Sequence, residues 1–252
     1  MAEKTTQLVE SKADFGALLS DKIDLVNDAI PKNFNKARFV QNCIALLNDD
    51  AEKYKGFKKE ILVANLMKGA YLGLDFFSGE AYLVPYGSKL TFMPSYTGSI
   101  KLAKKYSIRP IKDIYAKVIR EGDEFEEVIT NGEPSVNFKP KFLNDGEIIG
   151  AFAVVIYVDG GMGYEVMSRA DIENTKKSSK AKNSPAWENF YSEMAKKTVL
   201  KRLCKHIELD FESTDAQQAY NEDMAIDTDP QKINEIEVEA EANTVDFMEI
   251  DG

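Results

Sequence analysis

The chain has 252 residues, 44% of them hydrophobic and 10% aromatic, and it carries a formal net charge of -10 with a sequence pI of about 4.9. That length and apolar content suit one large domain with an appended tail, and no stretch approaches the roughly 20 apolar residues of a membrane span. No apolar run follows a basic start at the N-terminus, so neither a membrane span nor a signal peptide is expected.

Residues 1 to about 20 are polar and read as a partly ordered lead-in. "DLVNDAIPKNF" and "ARFVQNCIALLND" are predicted helices, the first stopped by Pro31, the second placing Phe39, Cys43, Ile44 and Leu47 at helical spacing. "KKEILVANLMKGAYLGL" is a third helix, with Leu62, Val63, Leu66 and Ala70 on one face, ending near Gly73. The period then changes. Ala81 to Pro85 and Lys89 to Met93 read as two strands across a "YGSK" turn, followed by a short helix from Gly98 to Tyr106 with Lys101, Lys104 and Lys105 on its polar side.

"IKDIYAKVIREGDEFEEVI" suggests one long strand bent at Gly122, and "VNFKPK" pairs back after the Asn-Gly turn signal of "TNGEPS". "IIGAFAVVIYVDGGMGYEVMS" is the clearest hairpin, turning at Asp159-Gly160-Gly161. A helix from about Arg169, a polar "KKSSKAKNSP" loop and the helix "SEMAKKTVLKRLCKH" follow. From about Asp210 the low apolar density and dense acid predict a disordered tail. Helices, then strands, then helices make an α+β fold rather than an alternating one. The segments divide at 1–72, 73–209 and 210–252.

The negative charge is segregated. Residues 208–252 hold 15 Asp or Glu and one Lys, whereas residues 1–207 hold 27 acidic and 31 basic residues. Between Ser168 and His206 ten Lys or Arg face four acids. A basic body with an acidic tail points toward nucleic acid more than the whole-chain pI does. On a helical wheel Ala195, Val199, Leu200, Leu203 and Cys204 share a core face, while Lys197, Lys201 and Lys205 form a ridge at i, i+4, i+8 with Arg202 at its flank. Lys196 projects into the apolar half, either as a snorkelling lysine or toward a groove. Trp187, Phe190 and Tyr191 interleave aromatics with this charge, as platforms for stacking bases do; taken singly each also suits the core, Phe190 most of all.

Other chemistries are poorly served. No G-x-x-x-x-G-K-[ST] is present, and the glycines of "DGGMG" and "YGSK" lie between strands. The C-x-H pair of Cys204 and the single histidine, His206, lacks the remaining ligands of a zinc site. Cys43 and Cys204 read as buried free thiols of a reducing cytosol. The acids of "REGDEFEEV" leave a magnesium-dependent nuclease open as an alternative, beside solvated strand charge, and the basic helix leaves open a non-catalytic scaffold for an acidic protein.

"GLDFFSGEAYLVPYG", "SYTGSIKLAKK", "VIREGDEFE", "YEVMSRADIE" and "SPAWENFYSEMAKKTVLKRL" occur in an order that closely resembles the RecT family of phage-encoded single-strand annealing proteins, over about Gly73 to Leu209. The resemblance implies a small antiparallel sheet packed on a helix, with N-terminal helices (1–72) for oligomer contacts and a DNA-binding core (73–209). It implies binding of single-stranded DNA and of an annealed duplex intermediate without ATP, cofactor, metal or covalent catalysis. Rings or filaments of the chain, a phage exonuclease and host single-strand binding protein as partners, and work in the cytoplasm of a bacterial host are implied with it. Carried onto this chain, the DNA-binding positions are Tyr96, Arg120, Arg169, Lys196, Lys197, Lys201 and Arg202. Lys180 and Lys182 match only as part of a basic loop, and Trp187 joins them as the aromatic candidate.

Overall fold

A computed structural model describes residues 2–179, 182–183 and 185–228, and it divides into two compact units, 1–98 with 211–252 and 99–210. The fold is α+β, as expected. Among the described residues no helix is long and apolar enough to cross a membrane.

The first unit contains α1 (Ala2–Leu25), α2 (Lys36–Asp49), α3 (Ala51–Tyr54), α4 (Lys59–Leu72), the hairpin β1 (Ala81–Tyr86) and β2 (Lys89–Pro94), and α9 (Thr214–Thr228). Asn35 caps α2 by accepting from the Arg38 amide at 3.0 Å, and Gly73 ends α4 in the left-handed region that glycine adopts without a Cβ penalty. Leu62, Val63, Leu66 and Ala70 are buried, so the apolar face of α4 lies where its spacing put it. Phe34, Phe39, Phe76 and Phe92 form a chain of tilted and edge-on rings with centroids 5.0–6.0 Å apart.

Two expectations change here. The polar lead-in is part of the 24-residue helix α1, and Phe15, Leu19 and Ile23, four apart, give it a buried face. The segment after Asp210, expected to be disordered, opens with a helix. Phe211, Ala216 and Ala219 are buried and α9 runs to Thr228, while residues 229–252 lie outside the described residues.

α5 (Tyr96–Tyr106) begins in the first unit and ends in the second. The second unit is a sheet of β3 (Ile111–Arg120), β6 (Ile148–Tyr157) and β7 (Met162–Ser168) in the order β3-β6-β7, all antiparallel, with a separate hairpin of β4 (Glu124–Thr130) and β5 (Glu133–Lys139). α6 (Arg169–Ser178), α7 (Pro185–Asn189) and α8 (Tyr191–Lys205) complete it.

The apolar run of β6 is explained by burial on both faces. Ala151, Ala153 and Val155 face α8 with Val199, Leu203 and Cys204, where the small side chains admit the helix. Phe152 and Val154 face Phe125, Val136 and Phe138 of the hairpin, with the Phe138 and Phe152 rings 5.0 Å apart. Burying a side chain such as Phe152 contributes about 1.5–3 kcal/mol.

The single long strand expected around Gly122 is two strands in two sheets. Gly122 turns the chain at φ +86°, and the Asp123 carboxylate accepts from the Arg120 amide at 2.8 Å, closing the corner.

At the seam of this unit the Ile108 amide donates to the Glu208 carbonyl at 3.1 Å, and the Asp210 amide to the Tyr106 carbonyl at 2.8 Å. Residues 106–108 and 208–210 are thereby held side by side.

Candidate nucleic-acid interface

An open cleft of about 600 Å³ lies in the second unit where the end of β3, the hairpin, the loop after β5 and α8 meet. Four cationic side chains line it: Lys117 and Arg120 from β3, Lys141 from the loop and Lys196 from α8. Tyr115, Phe138 and Phe152 supply aromatic surface, and Asp123 is the one carboxylate in the lining. A cleft with several cations over low-dielectric walls concentrates positive potential and attracts phosphate.

The sequence places these groups by simple rules. Alternation along β3 turns Tyr115, Lys117 and Ile119 to the hairpin side, while Ile114, Ala116 and Val118 face α8. A register shift between Ile119 and Arg120 breaks the alternation at the strand end and brings Arg120 into the cleft. Arg120 Nη1 donates to the Gly146 carbonyl at 2.7 Å, which orients the guanidinium. Lys196 follows Ala195, which is fully buried, so its stem runs along the rim of the core with its side chain 31% exposed, and its ammonium pairs with Glu193 one turn back.

Asp123 is committed to the scaffold. Its carboxylate accepts from Asn144 Nδ2 at 2.7 Å, the Arg120 amide at 2.8 Å and the Lys141 amide at 2.9 Å. Partial desolvation raises its pKa, but the Asn144 bond, the two amides and the Arg120 charge outweigh that and hold it below the usual carboxylate range. Asp123 is one of the several acids of "REGDEFEEV" on which the nuclease alternative rests. Among the described residues no three His, Cys, Asp or Glu side chains gather as a metal site.

The same network fixes the loop after β5. Asn144 Oδ1 accepts from the Gly146 amide at 2.9 Å, and Asn144 Nδ2 also donates to the Glu121 carbonyl at 3.0 Å. At its tip Leu143 has φ 49°, a left-handed conformation that costs a branched residue about 1–2 kcal/mol.

Of the ten positions named from the sequence, Arg120 and Lys196 share the cleft. Arg169, at the start of α6, pairs with Glu147, and Arg202 Nε pairs with Glu165 Oε1 on β7 at 2.7 Å. Lys197 and Lys201 are half-buried along α8, away from the cleft lining. Lys182 is exposed, and Lys180 lies outside the described residues. Tyr96, 40% exposed, belongs to the first unit.

Trp187 is a correction. It is 3% exposed within the core beneath α8, its ring 5.9 Å from that of Tyr191, so no face is open to a base. Phe190, expected to be the most core-like of the three, is 62% exposed because it is the non-helical residue between α7 and α8. Lys117, Lys141 and Tyr115 were missed. Their only sequence signal is alternation on a strand and a "KPK" exit from a hairpin, and neither shows that the two meet.

The RecT family model matches residues 37–239. Protein RecT of Escherichia coli (strain K12) is 34% identical over 160 residues, covering 60% of this chain and 58% of that protein. The uncharacterized protein YqaK of Bacillus subtilis (strain 168) is 26% identical over 167 residues, covering 66% of this chain and 57% of its own length. The chain thus matches less than two thirds of the length of either relative.

Proposed function

The chain belongs to the RecT family, and on that premise we propose that it binds single-stranded DNA and anneals complementary strands during recombination, without ATP and without covalent chemistry. The observation that carries this reading is the cleft in which Lys117, Arg120, Lys141 and Lys196 converge.

Two phosphate backbones repel, and annealing requires that this repulsion be lowered while base edges stay available. Four cations in one cleft neutralise phosphates of one strand and release its counterions, which favours binding without reading sequence. Arg120, held by the Gly146 carbonyl, offers a directed guanidinium. Lys117 and Lys141, both exposed, and the half-exposed Lys196 act as mobile point charges. With the backbone held, the bases are presented to a second strand, and correct pairing adds stacking that a mismatched strand cannot supply. Arg169, Lys182, Lys197, Lys201 and Arg202 extend the contact beyond the cleft in this reading, and Tyr96 is a separate DNA contact on the first unit. Arg169 and Arg202 must then exchange Glu147 and Glu165 for phosphate.

The roles of the segments belong to the same proposal: 1–72 for contacts between copies in a ring or filament, 73–209 for DNA, and 210–252 as the acidic tail. So do a phage exonuclease and a host single-strand binding protein as partners, and action in a bacterial cytoplasm.

The test is annealing of two complementary labelled oligonucleotides, followed by fluorescence transfer in nucleotide-free buffer containing a chelator. The expected result is annealing faster than the spontaneous rate, suppressed steeply between 50 and 200 mM salt. Annealing that needs ATP, or no binding of single strands at low salt, overturns the proposal. Magnesium-dependent degradation of the oligonucleotide by clean protein supports the nuclease reading instead.

A further inference from the structure

Phe142 and Leu143 are the two most exposed large apolar side chains among the described residues, at 87% and 81%. They occupy the tip of the loop after β5, directly between cleft-lining residues, with Pro140 and Lys141 before them and Asn144 after. We propose that this pair is a wedge that contacts nucleobases at the mouth of the cleft, an inference that rests on the single-strand reading above.

Three observations carry it. The tip is built rather than slack: Asp123 holds the Lys141 amide and Asn144 Nδ2, and Asn144 holds the Gly146 amide and the Glu121 carbonyl. The backbone at Leu143 adopts φ 49°, which glycine or asparagine would tolerate more easily; the other non-glycine residue with positive φ among the described residues is indeed an asparagine, Asn131. A rigid loop that keeps two apolar side chains in water through an unfavourable backbone conformation presents them to something. The neighbouring charge indicates what. Lys117, Arg120, Lys141 and Lys196 select a polyanion for this cleft, and the apolar surface that a polynucleotide offers beside its phosphates is the faces of its bases.

The aromatic candidate beside the basic helix, Trp187, is enclosed in the core, whereas the Phe142 side chain stands in solvent. Apolar wedges at base steps work by partial unstacking of the neighbouring bases.

The experiment compares the full chain with Phe142→Ala and Phe142→Trp on two fluorescent probes of equal length, an oligo-dT and an oligonucleotide whose sugars carry no bases. Phe142→Ala is expected to weaken oligo-dT binding roughly 5- to 150-fold, the range of one base–aromatic stack, and to leave the base-free probe unchanged. Phe142→Trp is expected to restore oligo-dT affinity and to show indole emission that oligo-dT quenches and the base-free probe does not. Equal losses on both probes, or unchanged oligo-dT binding, overturn the wedge. A Phe142→Ala chain that sediments as a smaller species without DNA also overturns it, assigning the pair to contacts between copies of this chain. Failure of the unmodified chain to bind either probe overturns the single-strand reading itself.

Discussion

Replacing Lys196 by Gln removes one of the four cations lining the cleft and leaves its walls in place. Its partner is Glu193, at i,i+3 on α8, and that carboxylate is 65% exposed. Such a pair stabilises a helix by about 0.2–0.5 kcal/mol, so the melting temperature should fall by no more than about 1–3 °C. The effect on binding is larger and has a distinctive form. For single strands the logarithm of affinity falls with the logarithm of salt at about 0.7 per neutralised phosphate. If each of the four cations meets one phosphate, the cleft contributes a slope of roughly -2.8, and Lys196→Gln reduces it to roughly -2.1. Between 50 and 200 mM salt, the cleft-dependent affinity then drops about 50-fold for the unmodified chain and about 18-fold for the variant. Anisotropy of a labelled oligo-dT, titrated at four or five salt concentrations, reads both slopes, and Lys196→Arg should keep the original one. An unchanged slope in Lys196→Gln, together with a clearly lowered melting temperature, refutes the assignment and makes Lys196 a snorkelling residue of the core rim.

Gly98→Ala should lower the melting temperature by several degrees, because the added Cβ would stand 2.0 Å from the Glu80 carbonyl oxygen, a backbone atom that cannot swing away; overpacking of this kind costs about 1–3 kcal/mol or more. Trp187→Ala should cost about 3–5 kcal/mol in denaturant titrations, while Phe190→Ala should stay within about 0.5 kcal/mol of the unmodified chain. Similar costs for the two would refute the placement of these rings. Burial pushes the Cys204 thiol up to about 12, and burial with the nearby Asp75 charge pushes Cys43 up as well. A thiol reagent at pH 8 should therefore label neither cysteine in the native chain and both in denaturant; rapid native labelling would contradict the burial.

Local pattern made much of this fold legible. β6 announces itself as an unbroken apolar run because both of its faces are covered, and α4 and α8 show their core faces because apolar side chains recur at the helical period. The aromatic cluster was misread because phase is lost where α7 stops and α8 begins. Phe190, at φ -133° and ψ 43°, belongs to neither helix, so the wheel of α8 carries no phase across it to Trp187. The lead-in was misread although Phe15, Leu19 and Ile23 recur at i, i+4 and i+8, since three apolar residues among polar ones give a weak stripe. The cleft was half legible. Arg120 and Lys196 stood in recognisable motifs, but Lys117 and Lys141 join them only through the meeting of β3, a loop and α8, which no local pattern encodes.

The backbone bonds that join residues 106–108 to 208–210 also bear on how the chain can be rearranged. The chain between Ile108 and Glu208 thus begins and ends at neighbouring points, so these ends can be joined and new termini opened elsewhere without stretching the polypeptide. Residues 108–208 therefore suit circular permutation, with the solvent-facing turn at Gly160 (φ +91°) as a natural place for the new ends.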